Sequence, residues 1–172
     1  MSRLKKKAPE ELVSVDLYKS AMRQVASPVA VITTFDGGEK AGLTATAVCS
    51  ATTEPPTILV CVNRSASAEP MIAASGRLAV NFLTDDQHEV ARLFSTSKLS
   101  SEKRFAVGDW TTLSTGAPVL KNTIASFDCT VESVVPCGTH NIYVSRVEAV
   151  SSDDGAPLLY RDGYFRRLGA NF

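Results

Sequence analysis

The sequence predicts a mainly β domain, an antiparallel barrel of six or seven strands with a few short helices inserted. Short β-branched and apolar runs recur along the chain without alternating regularly with long helices, which disfavours a Rossmann-type sheet. The chain has no Gly-x-Gly-x-x-Gly and no Walker-type loop. Its 172 residues suit one domain, which we place at residues 14–172 behind a flexible basic tail at residues 1–13.

Residues 14–26 predict the first helix, with Ser14 as its N-cap. Four apolar side chains fall near one face of this helix: Val15, Tyr18, Met22 and Val25. The helix ends before Pro28, because the residue that precedes a proline avoids the helical region.

Three strands are predicted next. A strand over residues 29–35 passes through the tight turn Asp36-Gly37-Gly38 into a second strand over residues 40–51. Residues 57–62 are apolar on both faces, which is typical of a central strand.

The middle of the chain predicts helices around one more strand. A short helix over residues 70–75 ends at Gly76, and a strand follows over residues 78–83. Asp85 or Asp86 caps a helix whose apolar residues, Val90, Leu93 and Phe94, point inward. A polar loop over residues 95–101 precedes a short helical piece over residues 102–105.

The last third predicts a hairpin and a closing pair of strands. Apolar and polar residues alternate from Ala125 to Val135, which indicates a strand with one wet face. A turn at residues 137–140 leads into a strand over residues 141–150, and short strands follow at residues 157–160 and 164–168.

Composition narrows the class of partner. Eighteen basic and eighteen acidic residues give a formal net charge of zero, so nucleic acid and anionic membranes are not expected partners. The N-terminus lacks a signal peptide, and no apolar run approaches the roughly 18 residues that span a bilayer. We therefore expect a soluble, cytoplasmic protein. The four cysteines lack metal-ligand spacing and are expected to be structural thiols.

One small-residue run is the leading candidate for a ligand surface. Residues 42–50, GLTATAVCS, combine small and hydroxyl side chains in a strand-like segment. Small residues let backbone amides approach a flat ligand, and hydroxyls add donors and acceptors. Tight packing against a neighbouring strand explains the same composition, so the residues alone leave both interpretations open.

The remaining candidate residues do not form a catalytic site made of protein side chains alone. His88 falls on a polar helix face, whereas His140 lies in a tight turn, either at the mouth of the barrel or simply at the surface. The nucleophile motif Gly-x-Ser-x-Gly is absent, and the acidic pairs lie in cap and turn contexts. Any catalysis is therefore expected to use a cofactor.

Several segments, taken in order, resemble the short-chain flavin reductase family over residues 14–168. Residues 42–50 resemble the flavin strand of that family, and Glu54-Pro55-Pro56 with residues 60–65 resembles the next strand. The other matching segments are residues 78–83, Lys103-Arg104-Phe105, Gly138-Thr139-His140 and Gly163-Tyr164. The likeness is greatest to the branch that holds the reductase of 4-hydroxyphenylacetate 3-monooxygenase.

This resemblance implies both a fold, an FMN-binding split barrel with Greek-key connections, and an enzymatic reaction. The expected reaction is hydride transfer from NADH or NADPH to FMN or FAD, with reduced flavin supplied to a partner monooxygenase. The family consists of homodimers with flavin near the subunit boundary, and it implies no metal.

The resemblance also implies a set of site residues. Thr44, Ala45, Thr46, Ala47 and Ser50 would face the isoalloxazine, with Pro28 and Val29 at its border. Asn63, Ser65, Ser67 and Arg104 would hold phosphate, Phe94 and Phe105 would line the flavin, and His140 would contact the nicotinamide. Cys61, Val62, Asn81 and Tyr164 belong to the matching segments and complete the expected cofactor contacts.

Alternatives to the reductase hypothesis stay open. The family also contains reducers of the corrin cobalt in cob(II)yrinic acid a,c-diamide, and Thr46 stands where many members carry Asn. A non-catalytic flavin- or haem-binding barrel and an interaction module without cofactor are the other candidates.

Overall fold

Twelve strands occur in the computed structural model, which describes residues 13–169. In chain order they are β1 (Ser27–Pro28), β2 (Ala30–Asp36), β3 (Glu39–Ala45), β4 (Val48–Thr53), β5 (Pro56–Asn63), β6 (Arg77–Phe82), β7 (Trp110–Thr112), β8 (Pro118–Leu120), β9 (Ala125–Cys137), β10 (His140–Ser151), β11 (Leu159–Arg161) and β12 (Tyr164–Arg166). The predicted N-terminal tail lies outside the described residues, except for Val13.

Seven of these strands form one antiparallel sheet in the order β3-β2-β6-β9-β10-β5-β4. The sheet confirms the predicted antiparallel barrel. Its edge strands β3 and β4 are joined in sequence by Thr46 and Ala47 but are not paired with each other, so the barrel is split there rather than closed. The single strand predicted over residues 40–51 is therefore two strands that meet at a corner.

Four α-helices lie among residues 13–169: α1 (Val15–Met22), α2 (Glu69–Ser75), α3 (His88–Ser95) and α4 (Ser101–Phe105). A short 3-10 helix, Asp85–Gln87, precedes α3. The Ser14 hydroxyl accepts a hydrogen bond from the Leu17 N–H at 3.2 Å, which confirms the predicted cap of α1. Gly76 ends α2 with a φ of 64°, a left-handed conformation that glycine adopts at little cost. Residues 23–26, predicted as helix, lie beyond the end of α1.

The main sheet has an apolar cluster on each face. Ala30 and Ile32 of β2 pack inside the barrel, whereas Val31 between them faces the opposite way. Outside the barrel, Val31 packs in a cluster that includes Phe94 of α3 and Leu120 of β8. The predicted inward face of α3 is thus confirmed, while the pairing of β7 with β8 is a feature that the sequence analysis missed.

Gly42 lets α3 lie close against β3. A Cβ atom at Gly42 would come within 2.6 Å of the Phe94 ring and within 2.8 Å of the Ile32 carbonyl oxygen. The first glycine of the small-residue run therefore serves helix packing.

The hairpin of β9 and β10 projects beyond β6. Within β9, only residues 125–130 pair with β6. The rest of the hairpin forms an arm that extends past the end of β6. Gly138, with a φ of 57°, forms the tight turn at its tip together with Thr139.

Candidate functional site

A groove of two adjoining cavities opens beside the corner between β3 and β4. The larger cavity measures about 590 Å³ and the smaller about 240 Å³, and Thr46 and Tyr160 line both. Val29, Thr44 and Ala45 also line the smaller cavity. Cavities of these sizes suit a small-molecule ligand. The structure thus brings Val29, Thr44, Ala45 and Thr46 together as predicted neighbours.

The corner itself is made of small residues with one hydroxyl still available. The Thr44 hydroxyl donates to the Ala91 carbonyl oxygen at 2.7 Å, so it anchors α3. Ala45 is 9% exposed, whereas Thr46 and Ala47 are exposed. The Thr46 hydroxyl has no hydrogen-bond partner within residues 13–169. A flat ring can therefore approach the backbone here, with Thr46 at its polar edge.

Aromatic residues form the opposite wall of the groove. Tyr160 and Phe165 lie on the paired strands β11 and β12, with ring centroids 6.0 Å apart. Tyr18, Tyr160 and Tyr164, three of the four tyrosines in the chain, line the larger cavity. Only Tyr164 was predicted. The tyrosines that flank the Asp162-Gly163 turn, Tyr160 and Tyr164, are the sequence signal for this wall.

His140 lines neither cavity of the groove. The Ala47 carbonyl oxygen accepts from the Cys61 N–H at 2.9 Å, and the register places His140 directly opposite Asn63 of β5. The His140 Nδ1 atom is 2.9 Å from the Thr139 hydroxyl. β5 therefore lies between His140 and the β3–β4 corner, which are about two strand spacings of 4.8 Å apart.

The loop after β5 is internally bonded. The Asn63 carboxamide oxygen accepts from the Ser65 N–H and the Ser65 hydroxyl, both at 2.9 Å. Arg64 donates through its side chain to the Gly138 carbonyl oxygen and through its N–H to the Thr139 carbonyl oxygen at 3.0 Å. This loop therefore holds the turn that precedes His140.

The start of α2 does not fit the predicted phosphate. Pro70 has no N–H, and the Glu69 N–H is donated to the Ala66 carbonyl oxygen at 3.1 Å. The Glu69 carboxylate is already buried in the first turn, where it accepts from the Asn141 amide at 2.6 Å and the Tyr143 hydroxyl at 2.8 Å. A second anion there would be repelled. Ser67, expected to help hold that phosphate, is exposed in the preceding loop.

The Arg104 prediction is also corrected. Its guanidinium is buried, and it donates to the Gly42 carbonyl oxygen at 2.8 Å and to the Thr96 carbonyl oxygen at 2.8 Å. These bonds tie α4 to β3 and to the loop after α3. Arg104 is therefore a structural clamp, since its exposed area leaves little room for a phosphate.

Asn81 is a core residue rather than a cofactor contact. Its amide nitrogen donates to the Val31 carbonyl oxygen at 3.0 Å, and its amide oxygen accepts from the Leu120 N–H and the Ser126 hydroxyl, both at 2.9 Å. Asn81 is 0% exposed, and these bonds use the polar atoms of its side chain. Such a satisfied buried amide fixes β8 against β6.

The other predicted contacts divide between core and surface. Val62 and Phe94 are buried, and Phe105 packs edge-on against Phe94 at 5.0 Å and against Trp110 at 4.8 Å, so these side chains belong to the packed interior. Cys61 is half-buried, and burial raises the pKa of its thiol. Pro28 is exposed and pairs with Leu159 of β11, while Ser50 lines a separate apolar cavity of about 500 Å³.

The groove suits the binding of a planar heteroaromatic ring. It offers aromatic walls, a small-residue corner and hydroxyl groups, which are the means by which proteins orient a ring that brings its own chemistry. Residues 13–169 contain no cluster of three or more His, Cys, Asp and Glu side chains placed to hold a metal ion. No helix in that same range is long and apolar enough to cross a membrane.

Two curated relatives of this chain carry the same name. The chain is 45% identical over 150 residues to the FMN reductase (NADH) RutF of Stutzerimonas stutzeri strain A1501, covering 87% of this chain and 84% of the relative. It is 42% identical over 160 residues to the protein of that name from Pantoea ananatis strain LMG 20103, covering 92% and 84%.

Solved structures of similar shape carry related names. A candidate flavin reductase from Haemophilus somnus 129PT superposes with a TM-score of 0.87 at 37% identity, covering 91% of this chain and all of that one. BorF, the flavin reductase component of a bacterial two-component tryptophan halogenase, gives 0.83 at 27% identity, covering 92% and 100%. The family model described as "Flavin reductase like domain" matches residues 22–169. The chain therefore belongs to the flavin reductase-like domain family, as its sequence motifs predicted.

Proposed function

We propose that this chain is an NADH-dependent FMN reductase. The observation that carries the proposal is the sequence identity of this chain to two FMN reductases (NADH). The identities are 42% and 45%, over most of this chain and most of each relative. These relatives confirm the predicted activity class, nicotinamide-dependent flavin reduction, and favour it over corrin reduction and a non-catalytic barrel. NADH, a proton and FMN give NAD⁺ and FMNH₂, with FMN accepting both electrons as a hydride.

The residues of the groove would bind and orient the two rings. The corner at Ala45 and Ala47 lets a flat ring approach the backbone, and the free Thr46 hydroxyl can bond to its polar edge. Tyr160 and Phe165 supply the opposite wall. His140, across β5 from the corner, would contact the nicotinamide or its ribose. Holding two rings in contact lowers the barrier by fixing their orientation.

An anaerobic assay of the purified protein with each pair of nicotinamide and flavin tests this proposal. We expect the visible absorbance of FMN to bleach with NADH, at a higher kcat/KM than with NADPH or FAD. Flavin binding without bleaching by either nicotinamide would indicate the non-catalytic barrel instead. Gel filtration after reduction shows whether the flavin leaves the protein.

Two matched pairs of variants test the site. Ala45→Leu fills the groove and should raise the Kd of FMN at least about tenfold, whereas Ala51→Leu, on the exposed part of β4, should not. His140→Ala should raise the KM for NADH more than the Kd of FMN, and His88→Ala, at an exposed position of α3, should change neither. An unchanged KM in the His140 variant would remove that residue from the site.

A homodimer is part of the proposal. The helix α1 buries none of its residues within residues 13–169, and Val15, Tyr18 and Met22 are 65%, 60% and 48% exposed. A helix of eight residues gains most of its stability from packing. We therefore expect a second copy of this chain to pack against the apolar face of α1. Sedimentation should give twice the mass of one chain, and Met22→Glu should shift the equilibrium toward the monomer.

A monooxygenase that consumes the reduced flavin is the proposed partner. A protein from Mycobacterium thermoresistibile named as a homologue of nitrilotriacetate monooxygenase component B is 27% identical to this chain. BorF, also 27% identical, is named as the flavin reductase component of a two-component tryptophan halogenase. If reduced FMN diffuses between the proteins, product should form even when a membrane permeable only to small molecules separates reductase and oxygenase. Cytoplasmic location stays a prediction.

A further inference from the structure

A third cavity, of about 420 Å³, adjoins the groove, and three arginines line it. They are Arg161, Arg166 and Arg167, with Gln24 beside them. Asp162, at the turn between β11 and β12, lines both this cavity and the 590 Å³ cavity. A ligand that extends out of the groove over this turn therefore reaches the arginines.

The two faces of the β11–β12 hairpin carry different side chains, and Tyr164 lies on the same face as Arg161 and Arg166. Side chains alternate along a strand, so Tyr160 and its partner Phe165 face one way, toward the groove. Arg161 and Arg166 belong to the other set of alternating positions and line the arginine cavity.

The positive charge of this cavity is only partly matched. Arg167 is paired with Asp85 at 2.8 Å. Arg161 donates to the Gln24 carboxamide oxygen at 3.0 Å, and the Arg166 guanidinium lies 5.3 Å from the centre of the Tyr164 ring. Neither Arg161 nor Arg166 forms an ion pair with a carboxylate in the described part of the chain.

Further cations lie next to the arginine cavity. Lys19 and Arg23 of the α1 region line the 590 Å³ cavity together with Asp162. The whole chain has a formal net charge of zero, so this concentration of positive charge is local. A local excess of this kind attracts an anionic group to one place on the surface.

We infer that the arginine cavity is a subsite for the diphosphate of an adenine dinucleotide whose redox-active ring lies in the groove. Guanidinium groups bind phosphate oxygens in pairs, with charge-assisted hydrogen bonds. This inference rests on the proposed function, which supplies two such ligands: NADH and, as an alternative flavin, FAD. Diphosphate binding here would let the protein hold a dinucleotide both by its redox-active ring and by its diphosphate.

The double variant Arg161→Met/Arg166→Met tests the subsite. With saturating FMN, the KM for NADH should rise roughly tenfold, with a smaller change in kcat. The control is Arg146→Met/Lys121→Met, which removes the same charge from ion pairs outside the cavity and should leave the KM unchanged. Melting temperatures check that both proteins fold.

Flavin titrations distinguish the two dinucleotides. A rise in the Kd of FAD with no change for FMN or in the KM for NADH would place the FAD diphosphate at the arginines. A rise in the KM for NADH alone would place the NADH diphosphate there. Equal weakening of FMN and FAD would place the flavin monophosphate in the cavity and overturn the dinucleotide assignment.

Calorimetric titration with ADP tests the subsite without turnover. ADP should bind the parent protein, bind the control variant equally and bind the Arg161→Met/Arg166→Met protein at least fivefold more weakly. Equal ADP affinity in all three proteins would overturn the subsite. If the parent shows no reductase activity, the proposed function fails, and the ADP titration still decides whether the arginines bind a diphosphate.

Discussion

The helices α1 and α3 have the same length and opposite surroundings. Each has eight residues, but α3 buries Val90, Ala91 and Phe94, while α1 buries none within the described chain. Both are amphipathic in sequence, so the apolar stripe alone does not determine whether a helix packs within its own chain. The difference lies in the neighbour, because β3 offers α3 the flat surface of Gly42.

The largest expected difference between the two helices follows from truncating their apolar side chains. Phe94→Ala should lower the free energy of unfolding by about 3–5 kcal/mol, since it leaves a cavity among Phe105, Trp110 and the sheet. Met22→Ala should cost less than about 1 kcal/mol in a dilute, monomeric sample. Urea titration measures both. Similar costs for the two variants would mean that α1 is buried in the monomer.

A second variant removes the flat surface under α3. Gly42→Ala should lower the free energy of unfolding by about 3 kcal/mol, because the new Cβ meets both the Phe94 ring and the Ile32 carbonyl oxygen. The double variant Gly42→Ala/Phe94→Ala should cost less than the sum of the two single changes, since the smaller side chain leaves room for the methyl group. Simple additivity would show that contact with Phe94 is not the cause.

A third helix, α2, is held by a polar contact, and alkaline pH should weaken it. Burial, together with the hydrogen bond to the Glu69 carboxylate and its negative charge, raises the pKa of Tyr143 from 10.0 to about 12. Between pH 10 and 12 the unfolded chain therefore loses this proton while the folded protein keeps it. The free energy of unfolding should fall across that interval by on the order of 2 kcal/mol.

Urea titrations across that pH interval measure this loss. Burial raises the pKa of Cys129 from 9.0 to about 12, so its thiol adds to the decline from pH 9 upward. Tyr143→Phe should make the decline shallower, whereas Tyr164→Phe, at a residue that is 64% exposed, should not. Equal slopes in the two variants would exclude Tyr143 as a source.

The smallest expected effect is at the cap of α1. Ser14→Ala removes the acceptor for the Leu17 N–H and should cost about 0.5–1 kcal/mol or less. If α1 packs on a second copy, the cost should appear in the dimer dissociation constant more than in monomer unfolding. Sedimentation at several concentrations separates the two.

The sequence predicted most strands of the main sheet, but it predicted one strand over residues 40–51 where the structure has two strands and a corner. The alternation of β9 predicted one wet face, whereas Ser126 and Asp128 on that face are buried. Asn81 and Arg104 were misassigned because a polar side chain in a motif does not reveal whether it faces a ligand or a backbone carbonyl. Tyr18 and Tyr160 were missed because they come from opposite ends of the chain and meet only after folding.

The projecting arm of β9 and β10 has a consequence for solubility. Beyond Val131, whose N–H is donated to the Gly76 carbonyl oxygen at 2.9 Å, β9 has β10 as its only strand neighbour among residues 13–169. An exposed strand edge of this kind invites intermolecular β-pairing, and Val134 and Val135 are 41% and 49% exposed. Glu132 places a charge on this part of β9, and Pro136 has no backbone N–H to donate. Both residues disfavour pairing of the arm with a strand of another molecule.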